Sequence, residues 1–300
     1  MSPELSEVGV VSAFVSPTVR RRRLAAELRR LRDRLHLTLD EVAAQLGWSP
    51  SKVSRYELAQ GGLKPVEVRR LLDLYGIEGP KRETLLSLAR EATDKGWWEE
   101  YADAMPEDYV SIIGLEAEAT AEWSWHLDVI PGLLQREAYM RAIINQAQVL
   151  APTPPSKIDR RIEMRLHRQQ LLERDPPLQL SVVLDQAVLL RRVGSNSVMR
   201  DQLAYLGEVA QLPNVSLRIK QLDESFPVVT NSFDLLTFGP TDDATMPDVV
   251  WTEHVFSAIY FEGEADTFQY HLVFRAMSDS SLDSAESLEL LDRIMHKVWT

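Results

Sequence analysis

Cysteine is absent from the 300 residues. That excludes disulfides, thiolate metal sites and cysteine nucleophiles, and it fits a reducing cytoplasm. No stretch approaches the roughly 18 apolar residues of a membrane span. The mildly apolar Val8–Val15 is preceded by Glu4 and Glu7 and followed by arginines. A secretory signal carries its charges the other way round, so residues 1–17 read as a flexible leader. Histidine is sparse, and none of His36, His126, His167, His254, His271 and His296 forms the i, i+4 pair around a glutamate that binds zinc on a helix. The chain has no Gly-x-Ser-x-Gly elbow, no phosphate-binding glycine loop and no dinucleotide fingerprint. The expectation is a protein without a catalytic site, metal or cofactor.

Positive charge is short overall and concentrated in one place. The chain has 33 Lys+Arg against 45 Asp+Glu. Residues 18–75 hold 13 basic and 7 acidic residues, whereas 76–300 hold 20 and 36. A basic module on an acidic body implies that only the module meets a polyanion. The 45% hydrophobic and 26% charged fractions are those of an ordinary globular protein.

Within the basic module, Leu24, Leu28, Leu31 and Leu35 form one helical stripe, with Arg21, Arg22, Arg29, Arg30, Arg32 and Arg34 on the other faces. Thr38-Leu39-Asp40-Glu41 reads as a capping box. A helix then runs through Val42, Ala43 and Leu46 to Gly47, which suits a positive-φ helix end. Ser49 can cap the next helix, with Pro50 at its first position. That helix carries Ser51 to Glu57 and stops near Gly61-Gly62. Small Ala43, Gly47 four residues on and Val53 six further, with Tyr56 one turn beyond, are the spacing of two short helices packed steeply through a tight turn.

Residues 20–77, centred on LTLDEVAAQLGWSPSKVSRYELAQGGLKP, resemble the five-helix DNA-binding domain of phage repressors and xenobiotic-response-element-type regulators. The resemblance implies an all-α domain whose second motif helix lies in the major groove. It makes Ser51, Lys52 and Arg55 candidate base readers, with Pro50 at the groove edge and Ser54 on the same helix. Thr38 and Ser49 stand where hydroxyls and helix N-termini hold phosphates. Arg20, Arg21, Arg22, Arg23 and Lys64 become candidate backbone contacts, and Glu57 an internal partner.

The body reads as α+β. Helical patterns cover Leu85–Ala92, Arg136–Val149, Ile158–Leu172, Met199–Ala210, Gly263–Met277 and Ser284–Trp299. Short strands are expected at Glu122–Ile130, Leu178–Leu184, Val215–Leu222, Ser232–Phe238, Asp248–Glu253 and Ser257–Phe261. Strands clustered between helical blocks suggest a mostly antiparallel sheet. The expected division is a leader at 1–17, a helix-turn-helix domain at 18–78 and an α+β regulatory and dimerisation domain at 79–300, with a helical junction at 79–110. Trp97, Trp98, Trp123 and Trp125 are candidates for a ligand or partner pocket, although core packing explains them as well. Glu116 and Glu118 could serve as paired carboxylates, but a solvated helix face explains them better. Arg160, Arg161, Arg165 and Arg168 could bind an anion or an acidic partner, but a solvated stripe paired with Glu163 and Glu173 explains them better.

LLSLAREATDKGWWEEY, IIGLEAEA, VIPGLLQREAYMRA, RIEMRLHRQQLL, LDQAVLLRRVG and VMRDQLAYL resemble, in order, the C-terminal domain of a large actinobacterial family of antitoxin-like transcriptional regulators. The resemblance implies a cytoplasmic DNA-binding regulator, repressor-like and homodimeric on double-stranded DNA, with no membrane role. It also implies a small protein partner encoded by a neighbouring gene. Arg136 and Gln186 depart from the family pattern, where a small polar and an acidic residue are expected. Two other readings stand beside this one: a protein whose main act is binding that partner, and a small-molecule receptor or enzyme fused to a DNA-binding domain.

Overall fold

The computed structural model describes residues 19–59, 64–92, 96–150, 152–223, 229–239, 247–254 and 258–300. The leader and the expected helix stop at Gly61-Gly62 lie outside them. Five helices open the chain: α1 (Val19–Arg34), α2 (Leu39–Leu46), α3 (Pro50–Glu57), α4 (Pro65–Leu74) and α5 (Gly79–Glu91). Leu24, Leu28 and Leu31 of α1 are buried, but Leu35 is 45% exposed. The helix has ended by then, and His36 takes a left-handed φ of 54°, which turns the chain out of the stripe. Val42, Ala43, Val53, Val68, Leu71 and Leu72 complete a core with Leu85, Leu86 and Ala89 of α5. The first domain's core therefore extends past residue 78.

The second core begins with α6 (Glu107–Glu116). Then follow β1 (Ala121–His126), α7 (Glu137–Ala147), α8 (Pro155–Gln169), β2 (Gln179–Asp185), α9 (Gln186–Leu190), α10 (Asn196–Val209) and β3 (Val215–Lys220). Next come β4 (Phe233–Thr237), β5 (Val249–Glu253), β6 (Ala258–Phe261), α11 (Glu264–Asp279) and α12 (Ser284–Val298). The six strands form one sheet in the order β3-β2-β1-β4-β5-β6. The expectation of a mostly antiparallel sheet is corrected: the sheet is mixed. β1–β2 and β2–β3 run parallel, while β1–β4, β4–β5 and β5–β6 are antiparallel. The cause is connection length. α7 and α8 separate β1 from β2, and α9 and α10 separate β2 from β3, the helical crossovers that parallel pairing requires.

Side chains alternate across the sheet. On one face Leu180, Val182, Leu184, Leu217, Ile219, Leu236, Val249 and Trp251 pack against Ile112, Met164, Met199, Leu203, Leu291 and Ile294 from the flanking helices. On the other, Trp125, Val183, Phe233, Leu235 and Val250 meet Phe274 and Met277 of α11. Each such fully buried side chain contributes about 1.5–3 kcal/mol, so both helical layers are held by apolar burial.

Candidate nucleic-acid interface

Local chemistry fixes the turn between α2 and α3. Gly47 ends α2 at φ 66° and ψ 35°, donating its N–H toward the Ala43 and Ala44 carbonyls. Ala43, 1% exposed, lets α3 approach closely, and Val53, also 1% exposed, fills the contact. Ser49 accepts the Lys52 N–H at 3.3 Å, and Pro50 opens the helix.

α3 is then pinned on two sides. On one, the Arg32 guanidinium of α1 donates to both Glu57 oxygens at 2.7 and 2.8 Å and to the Leu37 carbonyl at 2.8 Å. Glu57 is the internal partner expected. On the other, Glu67 of α4 accepts from Lys52 Nζ and Tyr56 Oη, each at 2.7 Å, and from the Lys64 N–H at 3.4 Å. Burial of Glu67 opposes its ionisation, but these donors outweigh it and pull its carboxyl below the ordinary value. Lys52 also lies 4.4 Å from the centre of the Trp48 ring, and Arg70 lies 5.2 Å from it while donating to the Leu46 carbonyl. Sequence reasoning missed this Trp48–Lys52–Glu67–Arg70 cluster, since its members come from three segments of chain.

What remains outward on α3 is Pro50, Ser51 and Arg55, continued by Leu58 at its C-cap, all exposed. Arg55 makes no hydrogen bond or ion pair with any described residue. Ser51 Oγ lies 3.0 Å from Ser49 Oγ. Ser54 and Lys52 are half-buried, and Pro50, Ser49 and Lys64 are exposed. The two helix starts differ in charge. The first turn of α3 has no acidic residue. At α2, the Thr38 N–H and hydroxyl both donate to Glu41 at 2.8 Å, so that end already holds an anion.

The arginine run is placed differently from a solvated patch. Arg21 Nε donates to the Ala92 carbonyl at 2.8 Å, Arg22 pairs with Glu262, and Arg23 donates to the Gly239 carbonyl at 3.2 Å. The side chain of Arg20 lies outside the described parts.

The four tryptophans do not form one pocket. Trp97 stacks on His167 with ring centres 4.1 Å apart, and Trp98 is buried in the core under α6, where a Cβ at Gly114 would sit 3.0 Å from its indole nitrogen. Trp123 and Trp125 point to the opposite sheet face, Trp123 lying 4.3 Å from His271 and 5.8 Å from Phe274 between ring centres. The sheet separates the pairs because alternation sends both β1 tryptophans toward α11.

That alternation sends Glu122, Ser124 and His126 the other way, into a buried polar cluster. Glu116, 2% exposed, is held through both oxygens by Arg168 of α8, which also donates to Tyr109 Oη at 2.9 Å. The solvated-face reading of Glu116 and Arg168 is thereby corrected. Arg160 and Arg161 reach the Glu100 and Ala104 carbonyls, and Arg165 reaches Gln135 at 3.2 Å. Asp234 of β4 accepts from Ser124 Oγ and lies 3.1 Å from His126 Nε2. Burial alone would lower the His126 pKa, but the adjoining Asp234 carboxylate raises it above the ordinary value. Both Ser124 and His126 meet the same Asp234 oxygen, so this is not a nucleophile beside its base. Among the described residues no group of three His, Asp or Glu side chains is placed to hold a metal ion, and no helix is long and apolar enough to cross a membrane. At the two departures from the family pattern, the Arg136 guanidinium lies 5.6 Å from the centre of the Tyr205 ring, and Gln186 accepts the Leu222 N–H at 3.2 Å.

A tight two-helix turn inside a five-helix core defines the first domain as a helix-turn-helix domain. A family model of that description matches residues 23–85. A second, described as a domain of unknown function (DUF5753), matches residues 109–293, more than half of the chain. The protein belongs to the DUF5753 family. No curated protein and no solved structure matches the chain.

Proposed function

We propose that the protein is a sequence-specific, repressor-like transcriptional regulator of the xenobiotic-response-element type, reading duplex DNA as a homodimer through the outer face of α3. The observation that carries this is the state of Arg55: exposed on a helix pinned by Glu57 and Glu67, and without a hydrogen-bonding or ion-pair partner among the described residues. Arginine recognises the O6 and N7 edge of guanine in bidentate fashion, with about 1–3 kcal/mol of discrimination. Ser51 stands one turn before it as a second reader. Ser49, at a helix start free of acidic residues, and exposed Lys64 are the phosphate contacts we favour. Lys52, bound to Glu67, has the weaker claim to a base. The acidic body supplies self-association and the binding of a small protein partner, the antitoxin-like role that its motif resemblance supports. We assign it no catalytic step.

Selection of bound sequences from a random duplex pool tests the reading. Arg55→Ala is expected to relax preference at one base position per half-site, with little loss of thermal stability. An unchanged motif selected with unchanged stringency removes Arg55 from the reading set. Absence of any enriched motif with the parent protein overturns the functional assignment.

A further inference from the structure

Three consecutive arginines in the first turn of α1 each reach a different part of the protein. Arg21 Nε donates to the Ala92 carbonyl at 2.8 Å, with its guanidinium 3.9 Å from Glu99. Arg22 pairs with Glu262, just past β6, and its side chain is 16% exposed. Arg23 donates to the Gly239 carbonyl, beyond the end of β4, at 3.2 Å. β4 and β6 both run antiparallel to β5, so their C-terminal ends emerge at one edge of the sheet, and the start of α1 meets that edge.

A cationic run is an unfavourable way to begin a helix. The N-terminal end already carries partial positive charge, and acidic residues are the ones it favours; the first turn of α1 has none. Local helix energetics therefore do not account for the run. Acceptors on the acidic body do. The outer face of α3 stays exposed in the same arrangement, with Ser51 and Arg55 open.

We infer that Arg22 and Arg23, joined by the Arg21 guanidinium 3.9 Å from Glu99, are an interdomain clasp that holds the helix-turn-helix domain in one orientation on the acidic body, in place of the phosphate contacts that their sequence suggests. The Arg22–Glu262 ion pair of the clasp has charges that can be exchanged. Its DNA arm rests on the functional reading above; its distance arm does not.

Because the chain has no cysteine, two introduced cysteines give unique labelling sites. Glu83→Cys on α5 and Asp279→Cys on α11 are both exposed and lie on the two bodies. Spin labels there, in doubly labelled chains diluted with excess unlabelled parent chain, are expected to give a single narrow distance distribution. Arg22→Glu should lose the narrow peak, Glu262→Arg should also lose it, and the double exchange should restore it. DNA affinity should fall with Arg22→Glu and recover in the double exchange. A peak that stays narrow in Arg22→Glu, or one that the exchange does not restore, overturns the clasp. So does a double exchange that binds DNA as poorly as Arg22→Glu, since that marks a phosphate contact. A parent chain that binds no DNA removes the functional reading and leaves the distance result to decide the clasp. Unfolding curves confirm that each variant is folded; Arg23→Ala, which removes the donor to Gly239 without reversing a charge, is the milder second variant, expected to broaden the peak.

Discussion

Glu122 shows what one buried carboxyl does to the body's stability. It is 2% exposed, it shares a hydrogen bond with Glu116, and its Oε2 has no partner among the described residues. Burial, followed by the Glu116 and Asp234 carboxylates, pushes its pKa well above the ordinary 4.5. Above pH 4.5 the unfolded chain loses this proton while the folded chain keeps it, so the stability that Glu122 contributes in acid is lost as pH rises through the raised folded value. Glu122→Gln keeps the shape and the donor to Glu116 without that loss. It should leave acid stability unchanged and raise stability toward neutral pH, as read by denaturant unfolding at several pH values. Asp234 has the opposite sign. Burial opposes its charge, but His126 and Ser124 hold its pKa below the ordinary value. Its contribution is present above that ordinary value and lost as pH falls, so Asp234→Asn should cost stability at neutral pH. A Glu122→Gln advantage that does not grow with pH would show that the carboxyl ionises freely. None of this was legible in sequence. Glu116 and Arg168 lie 52 positions apart, and each, seen alone on an amphipathic helix, has the pattern of a solvated charge. The Ser49 cap was legible, because its partner is the Lys52 N–H three residues on; the internal role of Glu57 came through the family resemblance, since Arg32 lies 25 positions away.

At the scale of elements, the α2–α3 turn depends on a single backbone conformation. Gly47 sits at φ 66°, and a Cβ built there meets nothing within 4 Å. Space is free, so only the left-handed backbone resists substitution, at about 1–2 kcal/mol for most L residues. Thermal midpoints should therefore fall in the order Gly, Asn, Ala, Val, since asparagine tolerates this region and β-branched residues do so least. Asparagine as the worst of the three would mean that crowding, rather than backbone, governs the site. The strands were legible for a similar local reason: β-branched and aromatic alternation marks five of them within a residue or two, whereas the first, expected to run to Ile130, ends at His126. Their pairing was not. The sheet reads as antiparallel if only the short strands are considered, whereas the long helical crossovers between β1, β2 and β3 carry the information that makes those pairs parallel. α5 was misplaced for a related reason. Its Leu85, Leu86 and Ala89 give a clear helix, but periodicity does not say which core a helix joins.

For the whole molecule, that last point decides where the DNA-binding unit ends. Leu85 and Ala89 are fully buried and Leu86 is 7% exposed, all in contact with the core built by α1 to α4. Arg82 adds links from α5 back to the Ile77 carbonyl at 3.2 Å and to Asp73 at 2.6 Å. A fragment ending at residue 78 lacks these side chains and uncovers the apolar surface they meet on α1 and α4. Two buried leucines alone are worth about 3–6 kcal/mol, a large share of the about 5–15 kcal/mol by which whole domains are stable. The fragment 1–92 should therefore melt cooperatively, while 1–78 should show a broad, low-temperature loss of helix by circular dichroism. The folded fragment should bind a half-site, but more weakly than the full chain binds the whole operator, because a dimeric body raises the effective concentration of the second module. A fragment 1–78 as stable as 1–92 would assign α5 to the body. A fragment 1–92 that bound the full operator as tightly as the intact protein would remove self-association from the acidic body and leave it the partner-binding role alone.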